Sequence, residues 1–430
     1  MKNFSIRAAS MAAFFTGALC TATIAGPITT VPWNGYVGAV SFTFDDALTN
    51  QIQNLKPILD EMPDVKVTFF VTSMGNGLKT NAAGYAALAK SGHEIGNHTD
   101  THGHPTGLNE SELESEITNF AKTIESTIKD AGAEIDVVSF AAPFCETNES
   151  VHKVIDKSHF VNRNCGWHGR NNWGTEPDWM NIQAKIWTRS GANVDEMLSA
   201  MDTAAFIGDF GNANPWDVSV TEGTWLVVLN HGVTDDTGDD YAINPGDIKK
   251  IIQRARDNKL WTASFGTVAA YYRAHFVMDA AESVNDGEGF SVSWKIPHEH
   301  MPKSVPLRVN IKTDIENAVV EQDGKVIKPE SDGTFIVEFM AQSLKVRKGD
   351  GSASADTAST DTSAADTSKP LSVLSKVDFS AKNGNYTFFD LNGNLLGRST
   401  NFEIPANFPK GAYVVRAQVN GKTATKLIRK

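Results

Sequence analysis

The chain has 430 residues, and at roughly 100–200 residues per domain this length allows two to four folded units. With 39 basic and 51 acidic residues its formal net charge is −12, which argues against a nucleic-acid binder and against docking on an anionic membrane. Hydrophobic residues make up 41% of the chain and cysteines number three, so the composition is that of a soluble, mostly globular protein and excludes a disulfide-built scaffold.

The first 25 residues have the pattern of a secretory signal peptide, because Lys2 and Arg7 precede an apolar run over 8–25. An N-terminal helix of the fold is one alternative. A lipoprotein anchored through Cys20 is another, but a bulky leucine precedes this cysteine where lipidation needs a small residue. No later run reaches the ~20 apolar residues that a membrane span needs.

Short apolar runs alternate with amphipathic stretches over the next 250 or so residues. In chain order the pattern predicts a strand at 40–44, a helix at 52–59, a strand at 66–72, a helix at 82–90, a strand at 93–96, a helix at 109–129, a strand at 137–140, a helix at 149–157, strands at 160–164 and 182–188, a helix at 194–207, a strand at 225–229, a helix at 245–258, a strand at 262–265 and a helix at 268–275. Asn109 is the expected N-cap of the longest helix, with Glu112 three residues on. This alternation predicts an α/β fold with a mostly parallel sheet closed into a barrel.

The remaining sequence changes to β patterns. Short alternating strands with Asp-Gly turns predict a small β-sandwich over 285–348. Residues 349–370 are a polar tract without large apolar side chains, which predicts a flexible linker. Alternation with Asn-Gly turns returns over 371–430 and predicts a second all-β domain.

Chemically useful side chains follow three of the predicted strands. Asp45 and Asp46 come after the first strand, His98 and His102 after the third, and His231 after the long apolar strand. Each is a weak sign alone, because paired aspartates often cap turns and a lone histidine is usually structural. The carboxyl ends of parallel barrel strands open on one face, so we expect the five side chains to converge. Two imidazoles and a carboxylate suit a divalent ion such as zinc, and the remaining groups can serve as base and acid.

Three short sequences at these positions resemble motifs of the polysaccharide deacetylases, also called NodB-homology enzymes or carbohydrate esterase family four. They are Thr-Phe-Asp-Asp at 43–46, His-Thr-Asp-Thr-His at 98–102 and Leu-Asn-His at 229–231. The resemblance covers about 30–278 and implies a distorted (β/α) barrel that forms the catalytic domain. No Gly-x-Ser-x-Gly elbow lies near these residues, which disfavours a serine esterase.

The resemblance also implies a role for each residue. Asp45 would be the general base, and Asp46, His98 and His102 would hold a divalent metal ion, expected to be Zn²⁺. His231 would be the general acid.

The family's arginine motif is absent. Members usually carry Arg-Pro-Pro-Tyr or a relative after the strand at 137–140, and the arginine orients the base carboxylate. Here 140–144 reads Phe-Ala-Ala-Pro-Phe, closer to the Phe-Ala-Tyr-Pro-Phe of some members, with Ala141 at the arginine position. This change weakens the detailed mechanism without implying an inactive enzyme.

Four residues are predicted to contact substrate: Pro143, Phe144, Trp167 and Trp216. Trp173 and Trp179 lie in the same region, and any of the four tryptophans could stack on a sugar ring or anchor a loop. Cys145 and Cys165 could pair in an oxidising compartment or stay as two free buried thiols.

The end of the chain resembles the C-terminal sorting domain of type IX secretion substrates. The matching parts are Pro-Lys-Gly-Ala-Tyr-Val-Val at 409–415 and the basic terminus. A small carbohydrate-binding or spacer module is the alternative. The resemblance implies a secreted or cell-surface protein of a Gram-negative bacterium, with the secretion machinery as a partner.

We therefore expect a secreted, metal-dependent hydrolase that removes O-acetyl or N-acetyl groups from a polysaccharide such as acetylxylan, chitin or peptidoglycan. A weakly active or inactive carbohydrate-binding protein on the same fold is the first alternative, and an amidase acting on other acyl groups is the second. The expected protein is a monomer without a nucleic-acid partner or a membrane span.

Overall fold

A computed structural model describes residues 26–166, 169–191, 193–206 and 222–349, together with four strands near the C-terminus. The predicted signal peptide at 1–25 and nearly all of the predicted linker at 349–370 lie outside the described residues. No described helix is long and apolar enough to cross a bilayer.

Ten strands are described before residue 263. They are β1 (Ile28–Thr30), β2 (Gly38–Phe44), β3 (Thr68–Val71), β4 (Glu94–Asn97), β5 (Ser139–Ala141), β6 (Val161–Cys165), β7 (Arg170–Asn172), β8 (Ile182–Ile186), β9 (Thr224–Asn230) and β10 (Leu260–Thr262). Seven of them form a closed parallel barrel in the order β2-β3-β4-β5-β6-β8-β9, and β9 pairs back onto β2. β10 extends the sheet in parallel beside the start of β2, and β7 pairs antiparallel with β9. The predicted distorted barrel is confirmed.

The helices of this region connect the strands on the outside of the barrel. They are α1 (Lys56–Asp60), α2 (Gly77–Lys90), α3 (Glu110–Glu114), α4 (Phe120–Asp130), α5 (Glu149–Asp156), α6 (Val194–Ala204), α7 (Pro245–Asp257) and α8 (Phe265–Asp279). π-helical turns at Gln51–Leu55 and Ser115–Asn119 precede α1 and join α3 to α4. Short 3₁₀ turns lie at Pro32–Gly35, Met74–Asn76, Pro105–Gly107, Pro143–Cys145 and Phe339–Ala341.

Capping side chains explain several helix boundaries. Asn109 accepts from the Glu112 N–H, and Glu112 reaches back to the Asn109 N–H, so the predicted capping box is present. The last strand of this region ends at Thr262 instead of running over 262–265. The Ser264 side chain accepts from the Thr267 N–H and starts α8 at once, so the predicted boundary was wrong.

The strands at the centre of the barrel are apolar on both sides. Every residue of β2 and β9 is buried, because the barrel interior covers one face and the helices cover the other. This double burial explains why these two strands read as continuous hydrophobic runs.

A second unit follows α8. Its strands are β11 (Ser283–Asn285), β12 (Gly289–Ser293), β13 (Pro306–Ile311), β14 (Ala318–Gln322), β15 (Lys325–Ile327), β16 (Phe335–Glu338) and β17 (Ser343–Lys348). They form a five-stranded sheet, β11-β12-β17-β14-β15, and a three-stranded sheet, β1-β13-β16. The three-stranded sheet therefore includes a strand that precedes the barrel in sequence, with Ile28 opposite Ile311.

The second unit packs against the barrel through α8. The Tyr271 hydroxyl donates to the carbonyl of Val31 over 2.5 Å. Trp33, Tyr271 and Leu307 belong to one continuous hydrophobic cluster that spans both units. The two units thus share a core.

The four described strands near the C-terminus are β18 (Asn385–Phe389), β19 (Leu395–Ser399), β20 (Ala412–Val419) and β21 (Lys422–Arg429). They form an antiparallel sheet in the order β19-β18-β20-β21, and Tyr386 and Phe388 are buried. This region is strand-rich, in agreement with the predicted all-β character.

Two buried histidines of the barrel carry no charge near neutral pH. Burial lowers the pKa of His93 to about 4 and that of His159 to about 3. The His93 Nδ1 accepts from the Val67 N–H over 3.2 Å, and the His159 Nε2 lies 3.2 Å from Asn97 Nδ2. Both rings are therefore built into the structure in their neutral form.

We expect the melting temperature to fall as the pH is lowered from about 6.5 to 4. The unfolded chain takes up protons on these histidines in that window and the folded chain does not, so stability is present above it and is lost below. Calorimetry in pH steps measures the decline. His93→Gln should flatten it, whereas the exposed His104→Gln should leave it unchanged, and a constant melting temperature would contradict the prediction.

Candidate active site and metal centre

The residues with the predicted catalytic and metal-binding roles lie at the carboxyl ends of barrel strands. Asp45 and Asp46 follow β2 directly, His98 follows β4 and His231 follows β9. The Asp45 N–H donates to the carbonyl of Asn230 over 2.9 Å, which fixes the ends of β2 and β9 beside each other. The convergence predicted from strand ends is therefore present in the structure.

Asp46, His98 and His102 form a compact group. The Asp46 Oδ1 atom lies 3.2 Å from His102 Nε2 and 3.6 Å from His98 Nε2. Each residue offers one ligand-type atom, and these atoms all lie within 4.8 Å of one another. His98 is buried while Asp46 and His102 are partly exposed, so the group opens toward solvent on one side.

The hydrogen bond behind His98 determines which of its ring nitrogens is available. Its Nδ1 lies 2.7 Å from the carbonyl oxygen of Ala141. A carbonyl can only accept, so Nδ1 carries the hydrogen and Nε2 presents its lone pair to the group. Ala141 therefore contributes its backbone to the site although it lacks the family's arginine side chain.

The loop between the two histidines is held in an unusual conformation. The Thr99 N–H donates to Asn97 Oδ1 over 3.0 Å, and the His102 N–H donates to Thr99 Oγ1 over 3.1 Å. Left-handed backbone angles, which cost free energy in residues other than glycine, are concentrated around the site. They occur at Asp46 (φ 77°), Ala47 (φ 55°), Thr99 (φ 64°), His102 (φ 58°), Phe144 (φ 54°) and Cys145 (φ 58°).

The charges of the group are tightly coupled. Burial opposes ionisation of Asp46, but contact with His102 and the charges of His98 and His231 outweigh it and lower the pKa of Asp46 to about 2. Burial lowers the pKa of His98 despite the attraction of Asp45 and Asp46. Contact with the Asp46 carboxylate raises the pKa of His102. An ionised carboxylate and a neutral His98 are the forms that a metal ion needs.

Asp45 is buried beside this group and is bound by an arginine from another strand. The Nη2 atom of Arg163, in the middle of β6, donates to Asp45 Oδ2. The same oxygen lies 3.6 Å from His98 Nε2. The other oxygen, Oδ1, is buried without a hydrogen-bond partner among the described residues, so it remains available to a ligand.

A buried glutamine joins the two strand ends. The Gln51 Nε2 atom donates to the carbonyl of Asp45 over 2.6 Å and to that of His231 over 3.0 Å. Its Oε1 accepts from the Tyr85 hydroxyl over 2.9 Å. The His231 ring lies 5.2 Å from the exposed ring of Tyr241, and its Nδ1 has no partner among the described residues. Gln51 thus holds the predicted base and the predicted acid through their backbones.

The predicted substrate residues Pro143 and Phe144 lie in the 3₁₀ turn after β5. Pro143 is buried, whereas Phe144 is 53% exposed. The Phe144 ring stacks on His104 with centroids 4.2 Å apart and meets the His102 ring edge-on at 4.8 Å. An exposed aromatic ring therefore borders the group of Asp46, His98 and His102 on one side.

A disulfide anchors this turn. Cys145 and Cys165 are bonded, with their Cα atoms 5.5 Å apart, so the alternative of two free thiols does not hold. The bond connects the residue after Phe144 to the last residue of β6.

The tryptophans divide into two groups. Trp167 and Trp216, predicted to contact substrate, lie outside the described residues. Trp173 stacks on His275 with centroids 4.0 Å apart, and Trp179 is buried with its Nε1 donating to Glu176 over 3.0 Å. Trp173 and Trp179 therefore both pack in the hydrophobic core.

Arg163, Gln51 and Tyr85 were not found from the sequence. Arg163 had one usable signal, because a charged residue inside a strand that a parallel barrel buries on both faces needs a counter-charge. Gln51 and Tyr85 gave no signal, since polar residues in amphipathic helices are usually solvent-exposed.

Comparison with known sequences gives a family match for the part of the chain that contains this site. A sequence model described as polysaccharide deacetylase matches residues 36–161. The site therefore lies in a part of the chain that is similar in sequence to polysaccharide deacetylases. The match includes the Asp45–Asp46 pair, both histidines of the metal-type group and the turn at Phe144.

Individual relatives are distant. The chain is 29% identical over 118 residues to a bifunctional xylanase/deacetylase of Pseudobutyrivibrio xylanivorans, an alignment that covers 27% of this chain and 18% of that protein. Among solved structures, the Xyl-CE4 domain of a xylanase from the hindgut metagenome of Trinervitermes trinervoides is 17% identical, over 53% of this chain and 87% of that one, with a TM-score of 0.35. A family 4 carbohydrate esterase from Streptomyces lividans in complex with acetate is 21% identical, over 52% and 91%, also with a TM-score of 0.35.

The barrel has a donor set that fits a divalent metal ion. Two imidazole nitrogens and one carboxylate oxygen converge, and the Asp46 Oδ1 atom is buried without a hydrogen-bond partner among the described residues. This set matches the ligands of catalytic zinc sites, which keep further positions open.

Removing one ligand should abolish tight metal binding. We expect His98→Ala to weaken Zn²⁺ binding by at least about 100-fold, because its Nε2 is one of three converging donors. Isothermal titration of the metal-stripped protein measures the affinity. His104→Ala is the matched control, since this nearby exposed imidazole pairs with Glu146 and lies outside the group. Equal affinities in the two variants would contradict the assignment.

The disulfide should contribute to stability. Its closure spans a sequence separation of 20 residues, so Cys145→Ser, Cys165→Ser and the double variant should each lower the free energy of unfolding by about 3 kcal/mol. Urea titration with and without reductant measures this loss. The three variants should agree with one another and with the reduced parent protein. An unchanged urea midpoint after reduction would show that the bond does not constrain the chain.

Proposed function

We propose that the protein is a secreted, metal-dependent hydrolase that removes acetyl groups from a polysaccharide. The observation that carries the proposal is the group Asp46, His98 and His102 beside the buried carboxylate of Asp45, in a domain whose sequence matches polysaccharide deacetylases. Zn²⁺ is the proposed ion, because imidazole and carboxylate ligands in a partly open site suit it.

Three residues would hold the ion and a fourth would accept a proton. A divalent ion in such a site acidifies water and polarises a carbonyl group. Asp45 is the proposed general base, since its Oδ1 atom has no partner among the described residues and its Oδ2 atom lies 3.6 Å from His98 Nε2. Arg163 occupies the Oδ2 atom, so Oδ1 is the oxygen proposed to accept the proton.

His231 is the proposed general acid. It follows β9, the parallel neighbour of β2, and Gln51 donates to the backbone carbonyls of both Asp45 and His231. Protonated His231 would deliver its proton to the sugar oxygen or nitrogen as acetate departs. In this proposal the bond to be cleaved would lie between the base and the acid.

The turn at Phe144 supplies a candidate oxyanion donor. The N–H groups of Cys145 and Glu146 donate to the carbonyls of Ala142 and Pro143 within the turn. The Phe144 N–H of the same turn is the proposed donor to a developing negative charge. The exposed Phe144 ring would then contact the sugar that carries the acetyl group.

The substrate class and location are also proposals. The acidic charge of the chain and its predicted signal peptide support an exported enzyme acting on neutral glycans. Acetylxylan, chitin and peptidoglycan remain the candidate substrates, and the relative named a xylanase/deacetylase favours acetylxylan among them. The C-terminal strands are the proposed sorting module for export to the surface of a Gram-negative bacterium, and the proposed catalytic form is a monomer.

An inactive carbohydrate-binding protein is less well supported. That alternative rested on the missing arginine at Ala141, and Arg163 supplies a guanidinium to Asp45 from the neighbouring strand. A binding protein would also not need the Asp45 Oδ1 atom to be buried without a hydrogen-bond partner among the described residues.

The zinc-loaded protein should release acetate from at least one of acetylxylan, chitin oligomers and peptidoglycan. Asp45→Asn should lower kcat by at least about 100-fold because the amide cannot accept the proton, while Zn²⁺ affinity is retained. Enzymatic quantification of acetate, with zinc titration alongside, measures both. Asp100→Asn, in the same loop as the histidines but outside the metal group, is the control. Full activity of the Asp45→Asn variant would exclude the proposed mechanism.

A further inference from the structure

We propose that Arg163 is the positioning residue for Asp45, and that this chain has moved the required guanidinium from the end of β5 to the middle of β6. The inference rests on the proposed deacetylase function for its kinetic consequence. The structural part of the inference, that Arg163 positions Asp45, rests only on the contacts of Arg163.

Strand register explains how the transfer can work. β5 and β6 are parallel neighbours, and Ala141 is the direct partner of Arg163. Side chains at paired positions of adjacent strands point to the same face of a sheet. A guanidinium at 163 therefore starts one strand, about 4.8 Å, away from one at 141. From there the Arg163 side chain reaches Asp45 Oδ2.

The surroundings of Arg163 favour a dedicated role. Its side chain is fully buried, and its guanidinium carbon lies 5.3 Å from the centre of the Phe70 ring. Its Nε and Nη1 atoms have no hydrogen-bond partner among the described residues. A buried cation with two unused donors is costly unless its charge is needed, and the carboxylate of Asp45 is the acidic group that it contacts.

The contact also restrains Asp45 from binding the metal. Asp45 Oδ2 lies 3.6 Å from His98 Nε2, as close as Asp46 Oδ1 does, so an unrestrained Asp45 could become a fourth protein ligand. Arg163 holds that oxygen and thereby separates two adjacent aspartates into a ligand and a base. Without this restraint the site would lose its proton acceptor to the ion.

Arg163→Met tests the inference, because it removes the charge and keeps most of the volume. We expect kcat for acetate release to fall roughly 10- to 100-fold, with KM within about twofold, since a buried residue outside the open side of the site does not contact substrate. The visible spectrum of the Co²⁺-loaded protein should also change, because Asp45 gains access to the ion. Arg254→Met is the matched control, since it breaks another Arg–Asp ion pair, to Asp202, between outer helices.

A relocation variant keeps the test decisive if Arg163→Met folds poorly. Ala141→Arg combined with Arg163→Ala returns the guanidinium to the neighbouring strand at the paired position. It should restore the parent Co²⁺ spectrum and bring kcat to within about tenfold of the parent. Arg163→Lys, which keeps the charge but loses the planar fork, should be intermediate.

The outcomes separate the two proposals. If the parent protein releases no acetate from any substrate, the proposed function fails and the Co²⁺ spectra alone decide the role of Arg163. If folded Arg163→Met protein keeps both the parent kcat and the parent spectrum, Arg163 does not position Asp45. If Arg163→Met does not fold, the inference is overturned by a relocation variant that is folded and binds Co²⁺ with an altered spectrum.

Discussion

Barrel closure between β2 and β9 is the constraint on which the site depends. Their register places the residue after Phe44 beside Asn230, and Gln51 then ties the backbones of Asp45 and His231 together. Asp45, the proposed base, and His231, the proposed acid, are more than 180 residues apart in sequence, and one parallel pairing that closes the sheet brings their strand ends together. Without that closure the strand ends would lie on opposite edges of an open sheet.

The site must also direct two adjacent carboxylates to different partners, and the barrel does this with very few charged groups. Asp45 and Asp46 are adjacent in sequence, yet Asp45 is directed to Arg163 and Asp46 to the histidines. The left-handed backbone at Asp46 produces this divergence, because it turns the chain sharply between the two side chains. The strained backbone lies between two adjacent carboxylates that contact different partners.

Features of the fold and of the site that depend on local sequence patterns could be predicted from the sequence. The barrel helices and most strands were predicted from periodicity, but β1 and β7 were missed because three residues carry no period. The converging aspartates and histidines were predicted because each follows an apolar strand directly. Arg163 escaped prediction because its partner Asp45 lies 118 residues away, and only barrel closure brings the two together. The position of the turn at Phe144 after β5 was predicted correctly, whereas its attachment to β6 through the disulfide became apparent only in the structure.

The pairing of β1 with β13 has a consequence for where the chain can be divided, either in evolution or in a recombinant fragment. A catalytic fragment ending near residue 278 would leave β1 with a bare edge and would uncover Tyr271, whose hydroxyl bonds to the carbonyls of Val31 and Arg308. The β unit after α8 is therefore not an independent module that could be exchanged without affecting the barrel. Gene rearrangements that add or delete modules should spare the boundary after α8, and recombinant fragments should extend from residue 26 through residue 349.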